Sequence, residues 1–332
     1  MRAAYVEHPG PPESLQIGDL PRPEPGPGQC LVRVTVSAVN PIDTYVRSGA
    51  VAMDLPSPYV PGCDLAGVVE AVGSGVSRLR PGDRVWGSNQ GLLGRQGTLC
   101  EYAAVDADWL YPTPDAIADQ TAAAGALVGI TAHLGLVREA RLQPGETILV
   151  VGGSGGVGSA VVQLAKALGA RVIATAGGPD KAAAARDAGA DVVVDYEATD
   201  MSHAISEAAP HGVDVWWDTR RAPDLDQAIG LCAPRGRVIL MAGRDARPAL
   251  PVGAFYTKEC RLLGFVMFKA SPEEQRAAAD DLCRWLASGE YRPRVAESFT
   301  LEEAAEAHAL QESATVHRTA DLAGKIVVRV GE

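Results

Sequence analysis

Residues 147–158, TILVVGGSGGVG, constrain the fold more than any other stretch of the chain. A short apolar, β-branched run leads straight into a glycine-rich turn, and an apolar helical pattern follows. Gly153, Gly155 and Gly158 stand at the spacing G-x-G-x-x-G. That spacing suits a dinucleotide pyrophosphate for three reasons. Gly153 allows a tight turn, Gly155 lets the backbone approach the phosphates, and Gly158 lets the helix pack closely on the strand. The phosphates then meet free N–H groups, those of Gly156 and Val157 among them, at the positive end of the helix. The bland alternative is a strand-to-helix turn that binds nothing. Further strand–helix units downstream argue against it.

Those units are readable from periodicity. Strand candidates lie at 147–152, 171–175, 191–195, 213–218, 237–242 and 262–267, with helical patterns between the first five. Such alternation implies right-handed crossovers and a doubly wound parallel sheet. A helix is expected from Pro272 to about Ser288, capped by Ser271. The tandem Trp216-Trp217 reads as sheet core. Residues before about 125 have another grammar. Segments such as QCLVRVTVS alternate apolar and polar positions and are separated by Gly and Pro, as in a compact antiparallel, barrel-like domain. The tail strand GKIVVRV comes after the parallel sheet is complete and is assigned back to that first domain. The expected division is 1–124 with 290–332, and 125–289.

With 332 residues, about two domains fit. No apolar run approaches the ~20 residues of a membrane span. The N-terminal MRAAYVEHPG lacks a signal-peptide core, and a cytoplasmic location is expected. A net charge of −11 disfavours nucleic acid. Six scattered cysteines, none in a C-x-x-C pair, support neither a disulfide framework nor a zinc knuckle.

Four segments carry a family resemblance: AVNPIDTYVRSG at 38–49, YVPGCDLAGVVEAVG at 59–73, GITAH at 129–133 and GGSGGVGSAVVQLAKALGA at 152–170. With the tail DLAGKIVVRV, they make the chain resemble the medium-chain dehydrogenases/reductases, within them the zinc-independent quinone oxidoreductases of the zeta-crystallin group. The resemblance implies an α/β architecture with a GroES-like catalytic domain and a Rossmann domain. Zinc relatives place Cys where this chain has Asn40, and His-Glu where it has Cys63-Asp64. An amide oxygen is a poor zinc ligand and Cys63 alone cannot hold the ion, so no metal is expected. Without a Lewis acid the acceptor should already be electrophilic, as a quinone or an enone is. Cys63 reads as either a redox-sensitive thiol or inert filling, and the second is favoured.

No acid stands at the end of the second sheet strand, where NAD-preferring folds bind the ribose 2′-OH. Thr175 is there instead. The resemblance assigns Lys181 and Tyr196 to a 2′-phosphate, with the turn from Thr175 to Gly178, Gly177 included, shaping the pocket, so NADPH is the expected cofactor. It also places Asn40 and Tyr45, read as lying on the same loop, near the nicotinamide as catalytic residues and Thr131 on the cofactor. Thr219, Gly243, Phe265 and Met267 occupy edge positions suited to the nicotinamide end, and Lys325 in the tail strand is counted with the cofactor contacts. Tyr45 is suited to donate to a carbonyl oxygen as charge develops there. Asp43 reads as a turn support, and His133 as a helix-surface or core residue. The family often carries a second Tyr after Arg-Ser-Gly, where this chain has Ala50-Val51, which suggests a more apolar pocket. The expected activity is NADPH-dependent quinone reduction. An enone or 2-enoyl thioester reductase is the nearest alternative, and a nucleotide-binding structural or RNA-binding protein is the alternative of another class. The apolar stretch 261–268 is expected as an exposed edge strand that pairs two copies into a homodimer.

Overall fold

The alternating run at the start of the chain becomes a long strand in the computed structural model, which describes residues 1–331. Two units divide the chain: Met1–Leu127, Gln275–Cys283 and Pro293–Glu332 form one, Val128–Glu274 and Arg284–Arg292 the other. The first unit opens with an antiparallel pair, β1 (Arg2–Tyr5) and β2 (Gln16–Asp19). It continues with β3 (Gln29–Val39), helix α1 (Pro41–Arg47), β4 (Asp64–Val72), β5 (Arg84–Gly87), β6 (Tyr102–Asp106) and β7 (Leu110–Pro112). β3 is the hub, pairing antiparallel with both β4 and β6. Its Cys30, Val32, Val34 and Val36 turn into the core, as the period of two demands.

Helix α2 (Asp119–His133) runs on through a π-helical turn to Glu139. Over Asp119–Glu139 it is long and apolar enough to pass as a membrane span, but most of it is buried inside the protein. Sequence reading missed this run because its Leu, Val and Ile residues are interleaved with Ala, Gly, Thr and His and form no unbroken apolar stretch.

The second unit holds a six-stranded, fully parallel sheet: β8 (Thr147–Val151), β9 (Arg171–Ala176), β10 (Val192–Asp195), β11 (Val213–Asp218), β12 (Cys232–Leu240) and β13 (Arg261–Gly264). Their spatial order is β10-β9-β8-β11-β12-β13. That is the doubly wound order whose reversal beside the first strand creates a ligand crevice at the strands' carboxyl ends. Crossovers are made by α3 (Gly156–Ala167), α4 (Pro179–Asp187), α5 (Met201–Ala208) and α6 (Leu225–Leu231), and the short α7 (Val252–Thr257) leads into β13. Trp216 and Trp217 are both fully buried. Being adjacent in a strand, they face opposite sides of the sheet. Trp216 packs with Ile205, Ile229 and Val238, and the Trp217 ring lies against Gly135, where even a methyl group would come within 2.2 Å of it.

Helix α8 (Pro272–Ser288) starts with the expected Ser271 cap, reinforced by a return bond from Glu274 to the Ser271 N–H, and ends on left-handed Gly289. The chain then re-enters the first sheet. β14 (Val295–Thr300) and β15 (Lys325–Arg329) flank helix α9 (Ala304–Glu312). β15 pairs antiparallel with β3 and parallel with β14, within the first unit. Arg47 anchors α1 to α9 through an ion pair with Glu312 and donates to the Gly10 carbonyl at 2.8 Å.

Three local expectations are corrected. The last strand ends at Gly264, not at 268, because its partner β12 stops at Leu240, opposite Gly264. The chain then curls into a 3-10 turn, Met267–Lys269. β12 begins at Cys232 and closes at Leu240, not at 237–242. Asn40 and Tyr45 do not share a loop: Asn40 caps α1 and Tyr45 lies within it.

Candidate active site

The glycine turn between β8 and α3 divides its labour differently from the simple reading. Gly152, with φ +80°, makes the left-handed turn, and its N–H points to the Thr175 hydroxyl at 3.2 Å. Gly153 is needed for packing: a Cβ there would lie 2.7 Å from that of Ala174 on β9. Gly158 is closed in by the turn itself and not by the strand, since a Cβ would fall 2.0 Å from the Gly152 carbonyl oxygen. Gly155 alone opens outward, its nearest neighbour 3.6 Å away. The first helical bond runs from the Ser159 N–H to the Gly155 carbonyl, so the N–H groups of Gly156, Val157 and Gly158 precede the intrahelical ladder. An open glycine backed by a twelve-residue helix fits a pyrophosphate.

At the end of β9, Thr175 is buried and no carboxylate follows in the strand. Gly178, with φ +80°, caps α4, whose first turn carries Lys181, half-buried. Tyr196 is exposed, and its ring closes over Gly177, where a Cβ would lie 2.4 Å from the phenol oxygen. The structure therefore brings Gly177 and Tyr196 together. On β11's carboxyl end, the Thr219 hydroxyl donates to the Val151 carbonyl at 2.6 Å and braces the turn at Gly152. Gly243, also left-handed, backs onto the Arg221 carbonyl. Phe265 meets Trp217 edge-on at 6.2 Å, with the Arg138 guanidinium 5.7 Å above its ring. Met267 is buried in the 3-10 turn, off the strand where it was expected. Thr131 lies buried on α2, and His133 packs against Trp285 with ring centroids 6.0 Å apart.

In the first unit the polar residues of AVNPID and PGCD converge. Asn40, Asp43, Cys63, Asp64 and Lys325 are all buried. Asn40 Nδ2 donates to Asp64 Oδ2 at 2.8 Å, while its Oδ1 accepts from the Lys325 ammonium. Lys325 also donates to the Val39 carbonyl at 2.6 Å. Asp64 Oδ1 accepts the Leu127 N–H at 3.1 Å. Asp43 Oδ2 accepts the Asn40 N–H at 2.8 Å, a helix cap, while its Oδ1 is buried with no hydrogen-bond partner. Lys325 is thus directed into this cluster, a placement that its strand pattern did not reveal.

Burial governs the charges here. It pushes the Asp43 carboxyl up to about 7, against the hydrogen bonds from Cys63 and the Asn40 backbone. It pushes Asp64 up and Lys325 down, and each is partly held back by the charge of the other. The Cys63 thiol is driven well above the thiol range, first by burial and then by the Asp43 and Asp64 carboxylates. A thiol held protonated and out of solvent reacts poorly, which favours the filling role for Cys63. Tyr45, half-buried on α1, is the cluster's more accessible neighbour in sequence. Among the described residues, no three His, Cys, Asp or Glu side chains are grouped so as to hold a metal ion.

Sequence reasoning missed Asp218 and Gly135. Asp218 is buried at the end of β11 and bonded by Arg220 Nη2 at 2.6 Å. An acid directly after two tryptophans in a buried strand was the available signal.

The chain matches known proteins along its length. The family described as "Alcohol dehydrogenase GroES-like domain" matches residues 26–115, and "Zinc-binding dehydrogenase" matches residues 156–284. Quinone oxidoreductase of Rattus norvegicus is 34% identical over 310 residues, 93% of this chain and 93% of that protein. Among solved structures, an NAD-dependent alcohol dehydrogenase superposes with a TM-score of 0.90 at 34% identity, covering 100% of each chain. Escherichia coli quinone oxidoreductase complexed with NADPH superposes with a TM-score of 0.86 at 28% identity, over 99% of this chain and 100% of that one.

Proposed function

This chain belongs to the quinone oxidoreductase family of medium-chain dehydrogenases/reductases, and from that premise we propose that it is an NADPH-dependent, zinc-independent reductase of quinones. The observation that carries the zinc-independent part is the seat of Lys325. Its ammonium sits on Asn40 Oδ1, among the residues that replace the ligands of zinc relatives. A fixed cation on the one amide oxygen, a protonated thiol at Cys63 and an Asp64 engaged on both oxygens make a poor donor set for a metal ion.

When bound, the nicotinamide nucleotide supplies the hydride. The backbone at Gly155, Gly156, Val157 and Gly158 would hold the pyrophosphate; Thr175, Gly177, Lys181 and Tyr196 would hold the adenosine end. Asn40, Thr131, Thr219, Gly243, Phe265 and Met267 are assigned to the nicotinamide end. Lys325 reaches the site through Asn40, whose amide it orients. Tyr45 donates a hydrogen bond to the acceptor's carbonyl oxygen as negative charge develops there. A homodimer and a cytoplasmic location belong to the same reading. Relatives bind either nucleotide by their names, and NADPH is preferred here because β9 ends without an acid.

Steady-state oxidation of NADPH and NADH against a panel of quinones, enones and enoyl thioesters tests the proposal. Quinones are expected to give the highest kcat/KM. A preference for enoyl thioesters would move the chain to the reductase alternative, and nucleotide binding without turnover would support a structural role.

A further inference from the structure

The turn after β9 carries no acid of its own, but an acid from another part of the chain lies beside it. Asp195, the last residue of β10, accepts two backbone N–H groups on one carboxylate oxygen, from Gly178 at 3.0 Å and from Glu197 at 3.1 Å. The Tyr196 N–H donates to the Ala176 carbonyl at 3.1 Å. These bonds fasten the segment after β10 onto the turn after β9. The Glu197 side chain then lies across that turn. A Cβ built on Gly177 would be 2.7 Å from Glu197 Oε1, and one on Gly178 would be 3.5 Å from Oε2. Glu197 is solvent-exposed, so its carboxylate is accessible to a ligand.

We propose that Glu197 is a nucleotide-specificity residue, accepting the 2′-hydroxyl of an adenosine ribose and opposing a 2′-phosphate, so that the chain uses NADH alongside NADPH. The proposal rests on the nucleotide-binding reading of the glycine turn. Doubly wound folds bind the ribose hydroxyl with a carboxylate beside the second strand's end. Here the same chemistry reaches that turn from the third strand. Lys181 in the first turn of α4 has the opposite preference, so acid and cation act against each other in one pocket. A strand-end search for the acid overlooks Glu197, because its position in the sequence follows β10.

Titration of nucleotide binding by intrinsic or NAD(P)H fluorescence tests this without turnover. In Glu197→Gln, the Kd for NADPH is expected to fall about tenfold and that for NADH to rise severalfold. Glu197→Asp, which keeps the charge on a shorter arm, should retain most of the wild-type ratio of the two constants. Unchanged constants in Glu197→Gln, or equal changes for both nucleotides, would overturn the assignment of Glu197 and leave the nucleotide site standing. Failure of the wild type to bind either nucleotide would overturn both.

Discussion

The Lys325 ammonium donates to the side-chain oxygen of Asn40 across 285 positions of sequence, inside the first unit's core. Asn40 passes the contact on, since its Nδ2 donates to Asp64. Lys325→Met removes the charge that holds back the upward shift of Asp64 and leaves the Asn40 oxygen and the Val39 carbonyl without their donor. A buried polar group left unsatisfied costs about 1–3 kcal/mol, to be read as a lower midpoint in urea unfolding. Lys325→Met with Asp64→Leu should recover much of that stability but not kcat, because the Asn40 amide loses both its anchors. Recovery of kcat together with stability would show that the orientation of Asn40 does not matter.

Asp43 makes stability depend on pH. Its folded pKa, about 7, lies above its ordinary value of 3.8. Between these values the folded state binds the proton that the unfolded state has released. Its contribution is therefore full below about pH 4 and is lost as pH rises through about 7. Asp43→Asn keeps an acceptor for the Asn40 N–H and cannot ionise. Denaturant midpoints at pH 5 and pH 8 should differ more in the wild type than in Asp43→Asn, by on the order of a few kcal/mol of unfolding free energy. Parallel profiles would show that Asp43 is not the titrating group.

The fold was legible because periodicity and glycine spacing are local signals. The six parallel strands and the cap at Ser271 follow from residues near one another in sequence. A strand left over from a finished sheet needs another partner, and β15 has β3. The polar cluster was only half legible. Asn40 and Cys63-Asp64 stand in recognisable segments, but the partnership with Lys325 depends on how β15 registers against β3. Glu197 escaped for a similar reason: a hydrogen bond from Gly178 to Asp195, invisible to pattern, brings two loops together. The shortened β13 shows the converse. Its apolar run favoured a longer strand, and the end of β12 cut it off.

Metal independence is directly testable. Activity should survive prolonged exposure to chelators, and elemental analysis should find no stoichiometric zinc. One tightly held zinc per chain, needed for turnover, would contradict the Asn40–Lys325 reading.

Lys181 should discriminate between nucleotides. A charge-assisted contact to a 2′-phosphate is worth on the order of 1.5–3 kcal/mol, roughly 10- to 150-fold in affinity. Lys181→Ala should raise the Kd for NADPH within that range and leave NADH nearly untouched. Equal losses for both would show that Lys181 does not read the phosphate.

The sheet edge at β13 is expected to pair two copies. The strand has four residues, Arg261–Gly264, bonded on one side to β12 and terminal in the sheet order. Val266 follows in extended conformation, 40% exposed. Neither Pro nor an internal charge blocks the stretch between Leu262 and Val266, and an edge left open in this way invites a second chain. A two-fold arrangement satisfies both copies at once. Because the strand itself is short, apolar contacts of Phe265 and Val266 must contribute as well as backbone bonds. Val266→Lys places a hydrated charge at an exposed position, with little expected cost to the fold. Sedimentation should show a dimeric wild type and a dimer dissociation constant at least about tenfold higher in the variant. A monomeric wild type, or a dimer indifferent to a well-folded Val266→Lys change, would place the interface elsewhere or remove it.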